Sequence, residues 1–416
     1  MNASGPHTPD AITCRIEKLV YGGDGLARAD GRVIFIPGTV EGETVTAEIT
    51  QLKPRFARAQ LCEVIVPSPK RIKPCCRVSD GATGEWCLVP GCVYDHVAYD
   101  EELRSKQAQL ESFLTRLPPP SEAPEFLPPF ASPQPLHYRN KMVLHAERQD
   151  GQMRLGYREE PSHRILDLNA CPLACPPIND ALAALRSGGL ENLPDDTDVT
   201  FRATPRDGAV WWTSRQPLAP PCPEWLTEES PAGPLRVPPD GFYQVNPAVG
   251  GALTRTVAAW FSESADCAEL LDLYCGVGVF GFACMAAGGT RLCGIESGRA
   301  AISAARLNAR SLGIEADFRC EALGKSDVSL DAFIGNPLRT TAVVDPPRDG
   351  MLPPVVAALA RSGIARLFYV SCDPATLARD VAALQKHGGY RMTRARLFDM
   401  FPRTAHFETL VELRKK

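Results

Sequence analysis

The sequence predicts an α/β protein: a C-terminal doubly wound parallel sheet, preceded by a small β-barrel and a mixed, β-rich central region. Three observations predict it. From Ala268 onward, short apolar β-prone runs alternate with helical patterns. The first of these runs, Leu270 to Tyr274, leads into the glycine-rich turn Cys275-Gly276-Val277-Gly278-Val279-Phe280-Gly281. Near the start of the chain, short strand-like runs are punctuated instead by turn dipeptides, with no helical period between them.

In chain order, residues 1–10 read as a disordered lead without a basic region or apolar stretch of the secretory kind. Residues 11–67 carry the turn signals Gly22-Gly23, Asp24-Gly25, Asp30-Gly31, Pro37-Gly38 and Glu41-Gly42, a spacing that suits a five-stranded barrel of the OB type. Between residues 51 and 77, Lys53, Arg55, Arg58, Lys70, Arg71, Lys73 and Arg77 face only Glu63, a local excess of six positive charges. The whole chain of 416 residues has a net charge of -4, so any nucleic-acid contact rests on local patches of this kind.

Residues 68–98 hold Cys75, Cys76, Cys87 and Cys92, with Cys171 and Cys175 farther on. Fifteen cysteines in a chain without a secretory leader point to a reducing, cytoplasmic setting. Thiolates clustered there suit zinc or iron-sulfur ligation, and free thiols are the alternative reading. Residues 99–117 have helical spacing, and the prolines of 118–135 read as a stiff linker. In the central region, 136–240, Arg139, Lys141, Arg148, Arg154, Arg158 and Arg164 are interleaved with His137, Tyr138, Tyr157 and His163. That mixture suits single-stranded RNA, where rings stack on bases and cations hold phosphates. No apolar run reaches transmembrane length, so no membrane partner is expected.

In the C-terminal region, 241–416, Tyr274, Glu296, Asp345 and Cys372 each fall at the carboxyl end of a predicted strand, the edge where open α/β sheets bind ligands. Cys372 is followed by Asp373, a helix N-cap, and Pro374, suited to the first helical turn. A thiol at a helix N-terminus is expected to have a lowered pKa. The glycine turn satisfies Gly-x-Gly-x-x-Gly, with Glu296 placed to accept from ribose hydroxyls. NAD, FAD and S-adenosylmethionine all meet that description. A nucleotide-dependent oxidoreductase, a non-catalytic RNA-binding protein and an exocyclic-amine methyltransferase are therefore rival readings.

The motifs Asp345-Pro346-Pro347-Arg348, Ser371-Cys372-Asp373-Pro374 and Thr404-Ala405-His406-Phe407-Glu408 decide among them. With these, the chain closely resembles the RNA 5-methyluridine methyltransferases, which modify bacterial 23S ribosomal RNA and the T-loop of tRNA. Residues 11–67 resemble a TRAM domain, in Tyr21-Gly22-Gly23-Asp24-Gly25, Val33-Ile34-Phe35-Ile36-Pro37-Gly38 and Gly42-Glu43-Thr44-Val45. The resemblance implies a class I, Rossmann-like methyltransferase domain using S-adenosylmethionine. It implies Cys372 as nucleophile, Glu408 as general base, and Gln244, Tyr274, Glu296 and Asp345 at the cofactor. It further implies a 4Fe-4S cluster on Cys76, Cys92 and Cys171, with Cys87 the nearest substitute where Val89 replaces the usual Cys-x-x-Cys partner. The 99–117 helix is expected to pack on the catalytic domain. The expected partner is RNA, 23S ribosomal RNA ahead of tRNA, for a monomeric enzyme.

Overall fold

The structure, a computed structural model, describes residues 11–29, 31–117, 123–159, 162–215, 223–264, 266, 268–324 and 330–416. The expected disordered lead lies outside them. The described residues form two units, one from within 1–78, 86–109 and 403–406, the other from within 79–85, 110–402 and 407–416.

In the first unit, β1 (Ala11–Arg15), β2 (Lys18–Leu19), β3 (Gly25–Ala29), β4 (Arg32–Ile36), β5 (Thr44–Leu52) and β6 (Phe56–Val66) make a sheet of order β1-β5-β6-β4-β3-β2. Six strands thus stand where the turn spacing predicted five. Alternate residues turn inward, so Ile34, Ile36, Val45, Ala47, Ala57 and Ala59 build a shared core. The basic run is largely consumed by ion pairs. Arg71 is bidentate to the buried Glu43 at 2.6 and 2.8 Å, Arg77 pairs with Asp95, Arg58 with Asp24 and Lys70 with Asp100. Among the described residues, Lys53, Arg55 and Lys73 keep no carboxylate partner. A short ladder follows, β7 (Arg77–Ser79) with β8 (Trp86–Leu88), then α1 (Tyr99–Leu114).

The predicted linker contains a strand, β9 (Glu125–Phe130). It runs parallel to a C-terminal strand at the edge of the large sheet, where Pro128 and Pro129 need no second ladder. The central region is a sheet of order β12-β11-β10-β13-β14, made by β10 (Lys141–Gln149), β11 (Gln152–Arg158), β12 (Ile165–Asp167), β13 (Thr197–Thr204) and β14 (Gly208–Thr213). Helix α2 (Pro176–Gly188) buries Ile178, Leu182 and Leu185. A hairpin, β15 (Leu226–Ser230) and β16 (Gly233–Val237), then leads to α3 (Pro247–Ser262). Its predicted basic patch is also largely neutralised: Arg148 pairs with Glu191, Arg158 with Glu147, and Arg164 with Asp80 and Glu159.

The C-terminal region alternates β17 (Glu269–Leu273), α4 (Val279–Ala286), β18 (Arg291–Glu296), α5 (Arg299–Leu312), β19 (Asp317–Cys320), β20 (Thr340–Val344), α6 (Pro353–Arg361), β21 (Arg366–Ser371) and α7 (Pro374–Gly388). The antiparallel pair β22 (Tyr390–Phe398) and β23 (Glu408–Lys415) closes it. Sheet order is β19-β18-β17-β20-β21-β23-β22-β9, so chain direction across the sheet reverses at β17. The carboxyl ends of β17 and β20 flank the resulting crevice, the expected place for a ligand. Buried Leu270, Val343, Phe368, Val370 and Leu410 from the sheet pack with Leu253, Val257 and Phe280 from the helices.

Candidate active site

Along that crevice runs a cavity of about 1020 Å³. All six residues expected to act on cofactor or substrate line it: Gln244, Tyr274, Glu296, Asp345, Cys372 and Glu408. They arrive on separate elements, which is why no single stretch of sequence displays the site.

The end of the cavity beside the glycine turn is built by backbone geometry. Tyr274, Gly276 and Gly278 have φ of 62°, 54° and 93°. The left-handed region is cheap for glycine, but a tyrosine there stores about 1–3 kcal/mol of strain, which the surrounding fold must hold. A Cβ on Gly278 would lie 2.4 Å from the Phe282 ring. Glu296 accepts from the Gly276 amide at 3.3 Å and the Gly298 amide at 2.7 Å, fixing an acid at the end of β18 beside the open turn. Gln244 packs against α3 at Gly250, where an added Cβ would lie 2.8 Å from its own. A glycine cradle, an anchored acid and a cavity of this size fit S-adenosylmethionine.

The reacting end is a buried group of carboxyls around a thiol. The Asp373 side chain caps α7, accepting from Ala375 and Thr376 at 3.0 and 2.8 Å, as its position predicts. The thiol does not behave as that cap suggests. Burial first, then Glu408 and Asp345, push Cys372 up to about 12, while Arg348 pulls it down. The helix terminus loses to desolvation and two acids. Burial pushes Asp345 up to about 7, with Glu296 adding to the rise. Glu408 lies well above the carboxylate range for the same first reason, with Asp345 adding to it, and its Oε2 has no hydrogen-bond partner among the described residues. Arg348 was visible in its motif but had no assigned role; its guanidinium opposes the rise of both Cys372 and Glu408. Two further residues of the site were missed. Asp272, buried beneath the glycine turn, bonds the Gly281 amide at 3.0 Å and is pushed up to about 8. Phe242, 70 % exposed, stands on the cavity wall two residues before Gln244.

The cysteine set does not come together as a metal site. Among the described residues, no group of three or more His, Cys, Asp or Glu side chains is arranged to hold a metal ion. In the first unit, Cys76 hydrogen-bonds with the thiols of Cys75 and Cys92, and Val89 is buried between them in the chain, its amide on the Cys76 carbonyl at 2.9 Å. Cys87 is only partly buried. In the second unit, the Cys171 thiol lies 3.4 Å from the Tyr157 hydroxyl. An apolar valine thus stands where a donor is needed, and the expected 4Fe-4S cluster on Cys76, Cys87, Cys92 and Cys171 does not fit.

Residues 319–416 match the family model described as tRNA (Uracil-5-)-methyltransferase, and residues 11–62 match the TRAM domain. An uncharacterized RNA methyltransferase of Thermosynechococcus vestitus is 31% identical, covering 97% of both chains. A 23S rRNA (uracil(1939)-C(5))-methyltransferase of Acidithiobacillus ferrooxidans is also 31% identical, covering 95% of both. The chain belongs to the RNA uracil-C5 methyltransferases, which draw their methyl group from S-adenosylmethionine. The fold of this methyltransferase is also that of the Pyrococcus abyssi tRNA (uracil-54, C5)-methyltransferase, with TM-score 0.73 at 24% identity, covering 98% of this chain and 100% of that one. Among the described residues of the methyltransferase, no helix is long and apolar enough to cross a membrane.

Proposed function

We propose that the chain methylates C5 of one uridine in 23S ribosomal RNA, with Cys372 as nucleophile and Glu408 as general base. The observation that carries this reading is the convergence of Cys372, Asp345 and Glu408 in one cavity that also holds Gln244, Tyr274 and Glu296. Uracil C5 is too weak a carbon nucleophile to take a methyl group unaided. Addition of the Cys372 sulfur at C6 turns the ring into an enolate with an electron-rich C5. The bound cofactor supplies an electrophilic methyl group on a sulfonium. Glu408 then takes the C5 proton, and the C6–sulfur bond breaks to restore the ring and the thiolate. Asp345, with a pKa near 7, can hold the uracil edge or exchange a proton with the thiol. The target uridine must be unpaired or flipped to enter this cavity.

The ribosomal target is supported by relatives at 29–31% identity along nearly the whole chain that carry the 23S name, in Methylococcus capsulatus and Acidithiobacillus ferrooxidans. Mapping 5-methyluridine in ribosomal and transfer RNA from a strain lacking this gene tests it. Loss of one 23S position supports the proposal. Loss of a tRNA position with intact 23S RNA overturns the choice of substrate and leaves the chemistry standing.

A further inference from the structure

We infer that Arg202 and Lys141, on the central sheet, are positioning residues that hold the cofactor-binding strap 238–244 in its working shape. The two cations face one another across neighbouring strands: Lys141 of β10 is the register partner of Arg202 of β13. Like charges placed directly opposite are unfavourable in a sheet, so the pair needs compensation from elsewhere. That compensation comes from the strap. Arg202 Nη1 donates to the carbonyls of Pro238, Pro239 and Gly241 at 3.1, 3.0 and 2.8 Å, and Lys141 Nζ donates to that of Asp240 at 3.4 Å. Four consecutive carbonyls therefore face two cations. Glu228 of β15 completes the arrangement, accepting from Arg202 Nη2 at 2.9 Å with both side chains about 1% exposed.

The strap is the cavity wall. Pro238, Asp240, Gly241, Phe242 and Gln244 all line the cavity, and Gln244 also borders a smaller recess with Tyr274, Gly276 and Val277. Beyond the clamped turn, Tyr243 donates to the Glu229 carbonyl at 2.9 Å and the Asn140 amide donates to the Val245 carbonyl at 2.9 Å. Arg202, Lys141 and Asn140 of the central region, with Glu229 of the β15–β16 hairpin, thus fix the strap from Pro238 to Val245. Neither Arg202 nor Lys141 lines the cavity. Their influence on the reaction passes through the placement of Gln244, and the inference rests on reading this cavity as the cofactor site.

The experiment measures binding of S-adenosylhomocysteine to the full chain by calorimetry, with kcat, KM for the methyl donor and Tm alongside. Arg202→Met is combined with Glu228→Leu so that no carboxylate is left buried alone. The strap should then lose its clamp: affinity falls about tenfold or more, KM rises in step, and kcat at saturating donor stays within about threefold. Glu228→Gln keeps the carbonyl clamp and should bind within about twofold of the parent, even where Tm falls. Should the double variant not fold, Lys141→Met reads the same clamp and should weaken binding about threefold at unchanged Tm. Parent-like affinity in the double variant, or in Lys141→Met, overturns the inference. So does a loss in Glu228→Gln as large as in the double variant, since the clamp would then not be the cause. Gln244→Ala separates the underlying reading. Weak binding there, with parent-like binding in the clamp variants, sinks the clamp alone. Parent-like binding in Gln244→Ala removes the cofactor reading of the strap and the inference with it.

Discussion

The hydroxyl of Tyr369 donates to Asp380 Oδ2 at 2.7 Å, and the Met351 amide donates to the same oxygen at 2.8 Å. Tyr369 lies on β21, which delivers Cys372, and Asp380 lies on α7, which follows it. Met351 lies in the loop between β20 and α6 that begins at Asp345. Arg379 adds a bond to the Asp349 carbonyl at 2.8 Å, and Thr376 one to the Arg348 carbonyl at 3.1 Å. The strand that leads to Cys372, the helix that follows it and the acidic loop are thereby latched together, which holds Cys372, Asp345 and Arg348 relative to one another.

Asp380→Ala leaves a buried hydroxyl and a buried amide without an acceptor, at about 1–3 kcal/mol each. Tyr369→Phe removes one donor while Asp380 keeps Met351 and Arg379, so it should cost about 1 kcal/mol. Urea unfolding should rank the two in that order. Equal losses would mean the bond to Met351 carries no weight.

Cys372→Ala should abolish methyl transfer and leave S-adenosylhomocysteine binding within about twofold, because the thiol makes none of the cradle. RNA carrying 5-fluorouridine should trap a covalent adduct on the parent enzyme. An adduct persisting in Cys372→Ala would reassign the nucleophile.

With the Cys372 thiol pushed up to about 12, chiefly by burial, the free enzyme holds it protonated at neutral pH. Asp345→Asn removes a nearby negative charge and should move the midpoint of alkylation downward. Arg348→Ala should move it upward. Iodoacetamide labelling across pH, read on the Cys372 peptide by mass spectrometry, checks both signs. A midpoint indifferent to both substitutions would leave burial and Glu408 to set the thiol.

The legible parts of this chain were those written in consecutive residues. Asp373-Pro374 after an apolar run announced a strand, a cap and a helix, and each is present. Phe126-Leu127-Pro128-Pro129-Phe130 misled because prolines argue against a strand, yet an edge strand with one neighbour tolerates them. The thiol was misjudged because its helix cap is local, whereas Asp345 and Glu408 reach it from distant positions in the chain. Arg71 read as a phosphate contact because Glu43, 28 residues away, was not visible as its partner. The family resemblance implied a cluster, but at position 89, where relatives carry a cysteine, the buried side chain is the apolar Val89. Glu408 had no local signal; only its position in a family motif marked it.

Asp272 gives the pH dependence of stability a definite sign. Its folded pKa, about 8, lies above the ordinary 3.8, so its contribution is complete below about pH 4 and is lost as pH rises through 8. At roughly 1.4 kcal/mol per unit, the loss amounts to several kcal/mol at the alkaline end. Asp272→Asn keeps an acceptor for the Gly281 amide without the charge. Urea unfolding at pH 5 and pH 8.5 should show a smaller decline for the variant than for the parent. An identical decline would place the titrating group elsewhere, with Asp345 the next candidate.

In the proposed mechanism, Glu408 separates the two halves of the reaction. Attack by Cys372 and methyl transfer there precede removal of the C5 proton, so neither needs the base. Glu408→Gln preserves size in a buried position where one carboxyl oxygen has no partner among the described residues, and an amide cannot accept the proton at neutral pH. The variant should methylate its RNA once and stall, with Cys372 still bonded to C6 of the methylated uridine. Slower turnover alone carries no information, because any damaged site gives it. The decisive measurement is a denaturing gel with RNA free of fluorine and a labelled methyl donor. A labelled protein–RNA band is expected from Glu408→Gln and not from Cys372→Ala. Full turnover by Glu408→Gln would move the base elsewhere, with Asp345, in the same cavity, or an ordered water the next candidates.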